Sequence, residues 1–122
     1  MKRRVLVIED EPIIAEMISI LLEMEGFNVI SLADTERARK KLLAGEVDMV
    51  MLDLNLKGEN GQSMCRYIKA EEGLKHIPVI LVSANSDLEQ ITAACGADDH
   101  IHKPFDMHNF TQKVRNQANM IN

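Results

Sequence analysis

The stretch VLVIEDE, residues 5–11, joins four apolar residues directly to three acidic ones. A second apolar run, MVMLD at residues 49–53, also ends on a carboxylate, Asp53. Each run has the length and the aliphatic content of a buried strand. Ligands bind at the carboxyl ends of the strands in open α/β sheets, so Glu9, Asp10 and Asp53 are expected at one such edge. Ionised acids crowded there repel one another, which predicts a cation site.

The rest of the chain alternates predicted strands with predicted helices. Further strands are predicted at 27–32, 79–82 and 99–102. The first predicted helix starts at Pro12 and stops at Gly26, and the second starts after a cap at Asp34 and stops at Gly45. The third runs from about Gly61 to Ala70, and the fourth starts after a cap at Ser86 and stops at Gly96. The last helix carries Phe110 and Val114, with Ile121 as a further candidate. Five βα units predict a parallel sheet with helices on both faces. The fifth strand contains two histidines and is therefore expected at a sheet edge.

Composition sets limits on the class of protein. A chain of 122 residues with 46% hydrophobic content predicts one domain over residues 1–122. The net charge of −5 argues against direct nucleic-acid binding, which needs a basic surface. No apolar run approaches the length of a membrane span, and no signal peptide is visible. We therefore expect a cytoplasmic protein with reduced cysteines at 65 and 95 and no contact with a membrane.

Four motifs, in this order, resemble those of the receiver domain of response regulators. They are VLVIEDE at 5–11, MLDLNLKGENG at 51–61, VILVSA at 79–84 and GADDHIHKPF at 96–105. The resemblance covers essentially the whole chain. It implies an α/β, doubly wound, flavodoxin-like (βα)5 fold with a five-stranded parallel sheet in strand order 2-1-3-4-5. It also implies a phospho-accepting protein of a two-component system or phosphorelay, which is not itself an enzyme for a separate substrate.

The resemblance assigns chemical roles to the acidic residues. Asp53 would accept the phosphoryl group from a phosphohistidine. Mg²⁺ would be bound by Asp10, Asp53 and the backbone carbonyl of Asn55, with Glu9 in its inner or outer shell. When ionised, the three carboxylates and Lys103 together leave two negative charges, which one Mg²⁺ would cancel.

Other residues would report the phosphoryl group to the rest of the domain. Lys103 would pair with one phosphoryl oxygen and Ser83 would hydrogen-bond another, with Ala84 beside it. The Lys103–Pro104 peptide bond is often cis in this family. His100 occupies the switch position that usually holds Tyr or Phe, so the usual aromatic switch is in doubt for this chain.

A histidine kinase or a histidine phosphotransfer protein is the expected phosphodonor, and a downstream protein is the expected target. The docking surface of the family points to Ile13, Ile14, Met17 and Phe105, with Ile13 and Phe105 expected to be the more exposed. Three alternatives are a flavodoxin-like cofactor binder, a degenerate receiver used only for docking, and a receiver that is one domain of a hybrid histidine kinase. The first would need a Gly-, Ser- or Thr-rich phosphate loop where this chain has acids.

Overall fold

The computed structural model describes residues 2–121, in which five parallel strands alternate with five helices. The strands are β1 (Arg4–Ile8), β2 (Asn28–Leu32), β3 (Met49–Asp53), β4 (Val79–Ser83) and β5 (Asp99–His102). The helices are α1 (Pro12–Met24), α2 (Thr35–Leu43), α3 (Gly61–Ala70), α4 (Leu88–Cys95) and α5 (Met107–Ala118). The sheet order is β2-β1-β3-β4-β5. This confirms the predicted flavodoxin-like topology and the edge position of β5.

The strand order sets the position of the acidic residues. The chain winds from β1 to β2 on one side and returns to β3 on the other, so the winding direction reverses between β1 and β3. Open α/β sheets bind ligands at this reversal. Ile8 is in register with Leu52, so Glu9 and Asp53 come next at the same level of adjacent strands.

The core forms two apolar layers, one on each face of the sheet. Val5 and Val7 of β1 pack on the layer that α1 and α5 cover, whereas Leu6 and Ile8 pack on the layer under α2, α3 and α4. All residues of β3 and β4 are buried. Strands covered on both faces are expected to be continuously apolar, and burial of each such side chain stabilises the fold by about 1.5–3 kcal/mol.

Two helix ends differ from the sequence-based expectation. The N-cap of α4 is Asp87 rather than Ser86, because the side chain of Asn85 accepts a hydrogen bond from the Asp87 amide (2.8 Å) and closes the turn one residue later. Helix α5 ends at Ala118, so Ile121 lies beyond the helix and only packs against its core layer. The Asp34 cap of α2 agrees with the prediction, since its side chain accepts a hydrogen bond from the Glu36 amide.

Candidate functional site

Three carboxylates and one ammonium group meet at the carboxyl edge of the sheet. Glu9, Asp10 and Asp53 each offer an oxygen, and these oxygens lie within 4.8 Å of one another. Lys103 Nζ lies 3.2 Å from Glu9 Oε1 and 3.3 Å from Asp53 Oδ2. Glu9 and Asp53 are each only 3% exposed, whereas Asp10 is half-buried. The structure thus brings together four side chains that are separated by up to 94 positions in the sequence.

Strand pairing continues just past the strand ends and positions these residues. The Glu9 amide donates to the Leu32 carbonyl (3.1 Å), which extends the pairing of β1 with β2. The Lys103 amide donates to the Ser83 carbonyl (2.9 Å), which extends the pairing of β4 with β5. The Lys103–Pro104 peptide bond that follows is cis. Backbone hydrogen bonds therefore fix the positions of Glu9 and Lys103 in addition to their side-chain contacts.

Backbone amides hold each carboxylate. Asp53 Oδ1 accepts from the Asn55 amide (3.0 Å), Asp10 Oδ2 from the Lys57 amide (2.8 Å) and Glu9 Oε2 from the Asp10 amide (3.1 Å). Two of these donors belong to the β3–α3 loop, residues 54–60. Hydrogen bonds to charged acceptors are stronger than neutral ones, so this loop restrains the orientation of both aspartates.

The pKa values of the two buried acids, Glu9 and Asp53, shift in opposite directions. Burial, followed by the neighbouring Asp53, raises the pKa of Glu9 to about 7, although Lys103 opposes the shift. Burial also acts to raise the pKa of Asp53, but hydrogen bonds from Glu9 and the Asn55 amide and the charge of Lys103 outweigh it and hold that pKa below its ordinary value. Without a cation, Glu9 therefore holds a proton well above the usual pH range of a glutamate, while Asp53 stays ionised.

The donor set fits a hard divalent cation. It consists of carboxylate oxygens on a partly open edge, which is the ligand type that Mg²⁺ prefers. The raised pKa of Glu9 points the same way, because proton binding relieves the same crowding that a cation would relieve. Asn55 is exposed, and its amide already contacts Asp53.

Comparison with known families agrees with this geometry. The family model "Response regulator receiver domain" matches residues 5–115. The chain belongs to the response regulator receiver family.

Several curated response regulators are similar to this receiver domain in sequence. The DNA-binding response regulator MtrA of Mycobacterium tuberculosis is 35% identical over 117 residues, which is 94% of this chain and 50% of that protein. The phosphate regulon transcriptional regulatory protein PhoB of Escherichia coli is 33% identical over 117 residues, which is 94% of this chain and 51% of that protein. The chain thus spans about half the length of these relatives.

Solved structures share the fold. A putative response regulator from Chloroflexus aurantiacus aligns with a TM-score of 0.91 at 24% identity, and the alignment covers 98% of this chain and 99% of that chain. A second match is the receiver domain of a Pseudomonas aeruginosa sensor histidine kinase, which was solved with a magnesium ion coordinated in its active site cleft. It aligns with a TM-score of 0.87 at 25% identity, and the alignment covers 98% of this chain and 99% of that chain. Within residues 2–121, no helix has the length and apolar character needed to cross a bilayer.

Gly61 is a site residue that the sequence analysis used only as a helix start. Its amide donates to the Leu54 carbonyl (3.2 Å), and a Cβ atom at this position would lie 2.6 Å from the carbonyl oxygen of Asp53. The first residue of α3 therefore packs against the backbone of the phosphoacceptor candidate. No clear sequence signal marks this contact, because glycine lowers helix stability in the interior of a helix, whereas Gly61 is the first residue after the Asn60 cap.

The predicted switch residues lie on the β4 and β5 side of the site. Ser83 is fully buried, and its Oγ accepts from the Asn85 amide (3.0 Å), whereas Ala84 is exposed. The His100 ring is half-buried and meets the His102 ring edge-on, with 5.4 Å between centroids. His100 Nδ1 is buried without a hydrogen-bond partner among the described residues.

The predicted docking residues differ in exposure. Ile13 is 83% exposed, as expected, and Met17 is 43% exposed. Ile14 is half-buried against the core layer under α1 and α5. Phe105 was expected to be among the more exposed residues, and this was wrong. Its ring is half-buried and stacks on Phe110, with 5.2 Å between centroids.

The exposed apolar residues of α1 form a continuous stripe. Ile13, Met17, Ile20 and Met24 recur at helical spacing and are between 43% and 83% exposed. The α1 stripe, defined by these four residues, runs the length of the helix, away from the core side that carries Ile18 and Leu22.

The crowding of Glu9 predicts a pH dependence of stability in metal-free protein. The folded pKa of about 7 exceeds the ordinary glutamate pKa of 4.5, so the folded state binds this proton more tightly. The contribution of Glu9 to the free energy of unfolding should be largest below about pH 4.5 and should fall toward pH 7, by at most about 1.4 kcal/mol per pH unit. Urea unfolding in EDTA should show this slope in the natural protein, and Glu9→Gln should lack it.

His100 is a second group whose pKa is shifted near this pH range. Burial, then the charge of Lys113, lowers the pKa of His100, which makes stability rise with pH near 6.5. This contribution is common to both proteins, so the difference between them isolates Glu9. If the free energy of unfolding had the same pH dependence in the natural protein and in Glu9→Gln, the assignment of this pH dependence to Glu9 would be wrong.

Proposed function

We propose that this receiver domain accepts a phosphoryl group on Asp53 from the phosphohistidine of a histidine kinase or histidine phosphotransfer protein. The observation that carries the proposal is the contact of one ammonium group, Lys103 Nζ, with both Asp53 and Glu9 beside a third carboxylate. Family membership makes a signalling phosphoacceptor the general role of the domain. Among the described residues, Asp53 is the acid that combines burial, an ionised state and a cationic neighbour.

The residues around Asp53 would each take part in transfer. The Asn55 amide orients the carboxylate through Oδ1, and Oδ2 faces Lys103. A carboxylate oxygen attacks phosphorus, the O–P bond forms, and the P–N bond to the donor imidazole breaks. Lys103 then pairs with a phosphoryl oxygen as a point charge, in place of its contact with Asp53.

Mg²⁺ is the cofactor we propose, held by Glu9, Asp10 and Asp53 with the Asn55 backbone carbonyl as a further ligand. When bound, the ion supplies positive charge that neutralises the phosphoryl oxygens during transfer. The Lys57 amide keeps Asp10 oriented toward the cluster in the absence of any ion.

Signalling would start at Ser83. Its oxygen accepts from the Asn85 amide, and its hydroxyl hydrogen can donate to a phosphoryl oxygen. A new bond at Ser83 would therefore be felt by Ala84 and the turn at Asn85, which leads into α4. His100 on the neighbouring strand β5 is the second proposed switch residue.

We propose that residues 1–122 form one receiver domain that assists its own phosphorylation and dephosphorylation, and that it acts by protein contact without binding DNA itself. The DNA-binding response regulator MtrA and the transcriptional regulatory protein PhoB are about twice as long as this chain, and the similarity covers only about half of each. A cytoplasmic location stays a prediction.

Intact mass spectrometry tests the phosphoacceptor. Incubation with acetyl phosphate and Mg²⁺ should add one phosphoryl group to the natural protein and none to Asp53→Asn, which keeps the size of the side chain but removes the nucleophile. Asp34→Asn, at an exposed aspartate that caps α2, is the matched control and should be labelled normally. Labelling of Asp53→Asn would contradict the assignment, and an unlabelled natural protein would favour a docking-only receiver.

The α1 stripe is the proposed docking surface for the phosphodonor, together with the neighbouring Ile14 and Phe105. Ile13 is its most exposed member, and a buried charge at a contact surface weakens binding. Ile13→Glu should slow transfer from the phosphorylated partner about tenfold, equivalent to ~1.4 kcal/mol. Labelling by acetyl phosphate should not change.

Leu43→Glu supplies the matched control for this experiment. Leu43 is 65% exposed at the end of α2, on the other face of the sheet. Equal slowing by both substitutions would rule out a specific role for α1, and loss of acetyl phosphate labelling in Ile13→Glu would indicate misfolding instead.

A further inference from the structure

The β3–α3 loop holds the metal-site residues but receives a contact from outside the site. Its Asn55 and Lys57 amides bind Asp53 and Asp10, as described above. Its penultimate residue, Glu59, faces helix α2. There, Arg39 Nη2 lies 2.8 Å from Glu59 Oε1 and 2.7 Å from Oε2.

Arg39 also contacts the helix that follows the loop. Its guanidinium carbon lies 5.1 Å from the centroid of the Tyr67 ring on α3, within the range of a cation–π interaction. One side chain of α2 therefore bridges the loop and α3. Because the loop spans only residues 54–60, Glu59 is two residues from Lys57, whose amide holds Asp10.

The Arg39–Glu59 pair is partly shielded from solvent, more so than the pair formed by Lys41 on the same helix. The two side chains are 33% and 24% exposed, whereas those of Lys41 and Glu46, a pair that starts on the same helix, are 45% and 47% exposed. Exposed pairs contribute little because water screens them and side-chain entropy opposes them. Shielding and the aromatic contact both favour an ordered Arg39.

We propose that Arg39 is a positioning residue of the receiver site. It fixes Glu59, and thereby holds the β3–α3 loop where the Lys57 amide binds Asp10 and the Asn55 amide binds Asp53. The inference rests on the proposed function, since the residues positioned in this way are the proposed metal ligands and phosphoacceptor. Nothing in the sequence motif places an α2 residue in this role.

The direction in which Mg²⁺ affinity changes when Arg39 is removed distinguishes a positioning role from a purely electrostatic one. Arg39 is a cation, so its removal makes the region more negative and would by charge alone strengthen Mg²⁺ binding. Loss of positioning acts in the opposite direction, because misoriented ligands bind the ion less well. Lys41→Met provides the same change of net charge on the same helix without touching the loop.

Two measurements on the full chain test the proposal. The first is an NMR titration with Mg²⁺ alone, in which Arg39→Met should raise the Kd by at least about threefold, because Arg39 acts through the loop and does not itself hydrogen-bond a ligand. Lys41→Met should leave the Kd for Mg²⁺ unchanged or lower it. The second is hydrogen exchange of the Lys57 amide without metal, which should be at least about threefold faster in Arg39→Met and unchanged in Lys41→Met.

Glu59→Gln removes the same contact from the loop side and should reproduce the faster Lys57 exchange, even where Arg39→Met is poorly folded. The proposal is overturned if the Lys57 amide exchanges at the natural rate in the Arg39 and Glu59 variants, or if Arg39→Met binds Mg²⁺ at least as tightly as the natural protein. A natural protein that binds no Mg²⁺ would instead refute the proposed function, while the metal-free Lys57 measurement still decides the role of Arg39.

Discussion

Three carboxylates crowded around one ammonium group are the constraint on which the rest of this structure depends. Glu9, Asp10 and Asp53 would move apart if the backbone allowed it, since like charges at this separation repel. They stay together because β1 and β3 are paired centrally in the sheet and buried on both faces. A slip of one residue would turn every apolar side chain of these strands to the wrong face, so register is strongly fixed.

Because the charged groups are crowded, the binding of a proton, of a cation and of a phosphoryl group at this site all affect one another. In metal-free protein, burial and then the neighbouring Asp53 raise the pKa of Glu9 to about 7, and Lys103 pairs with Asp53. Each of these arrangements must change when a divalent ion or a phosphoryl group arrives. The site is therefore adapted to exchange its charge partners, which is the property that a reversible phosphoacceptor requires.

Sequence reasoning succeeded where local patterns determine the outcome. The continuous apolar runs of β1, β3 and β4 predicted buried central strands, and the histidines of β5 predicted an edge. It failed at Phe105, where the pairing of the apolar residue before a helix cap with the fourth helical residue, Phe110, was a local pattern that went unused. It also failed for the close approach of Gly61 to Asp53 and for the pairing of Arg39 with Glu59, because these contacts depend on how helices and loops pack.

The most direct test of the central claim is to locate the phosphoryl group chemically in the natural protein. An acyl phosphate can be reduced by borohydride, which converts the modified aspartate to homoserine. After labelling with Mg²⁺ and a small phosphodonor, peptide mass spectrometry should find homoserine at position 53 and at no other aspartate. Homoserine at position 10, or a reduced glutamate at position 9, would contradict the account, because the carboxylate that Lys103 and the Asn55 amide orient would then not be the nucleophile.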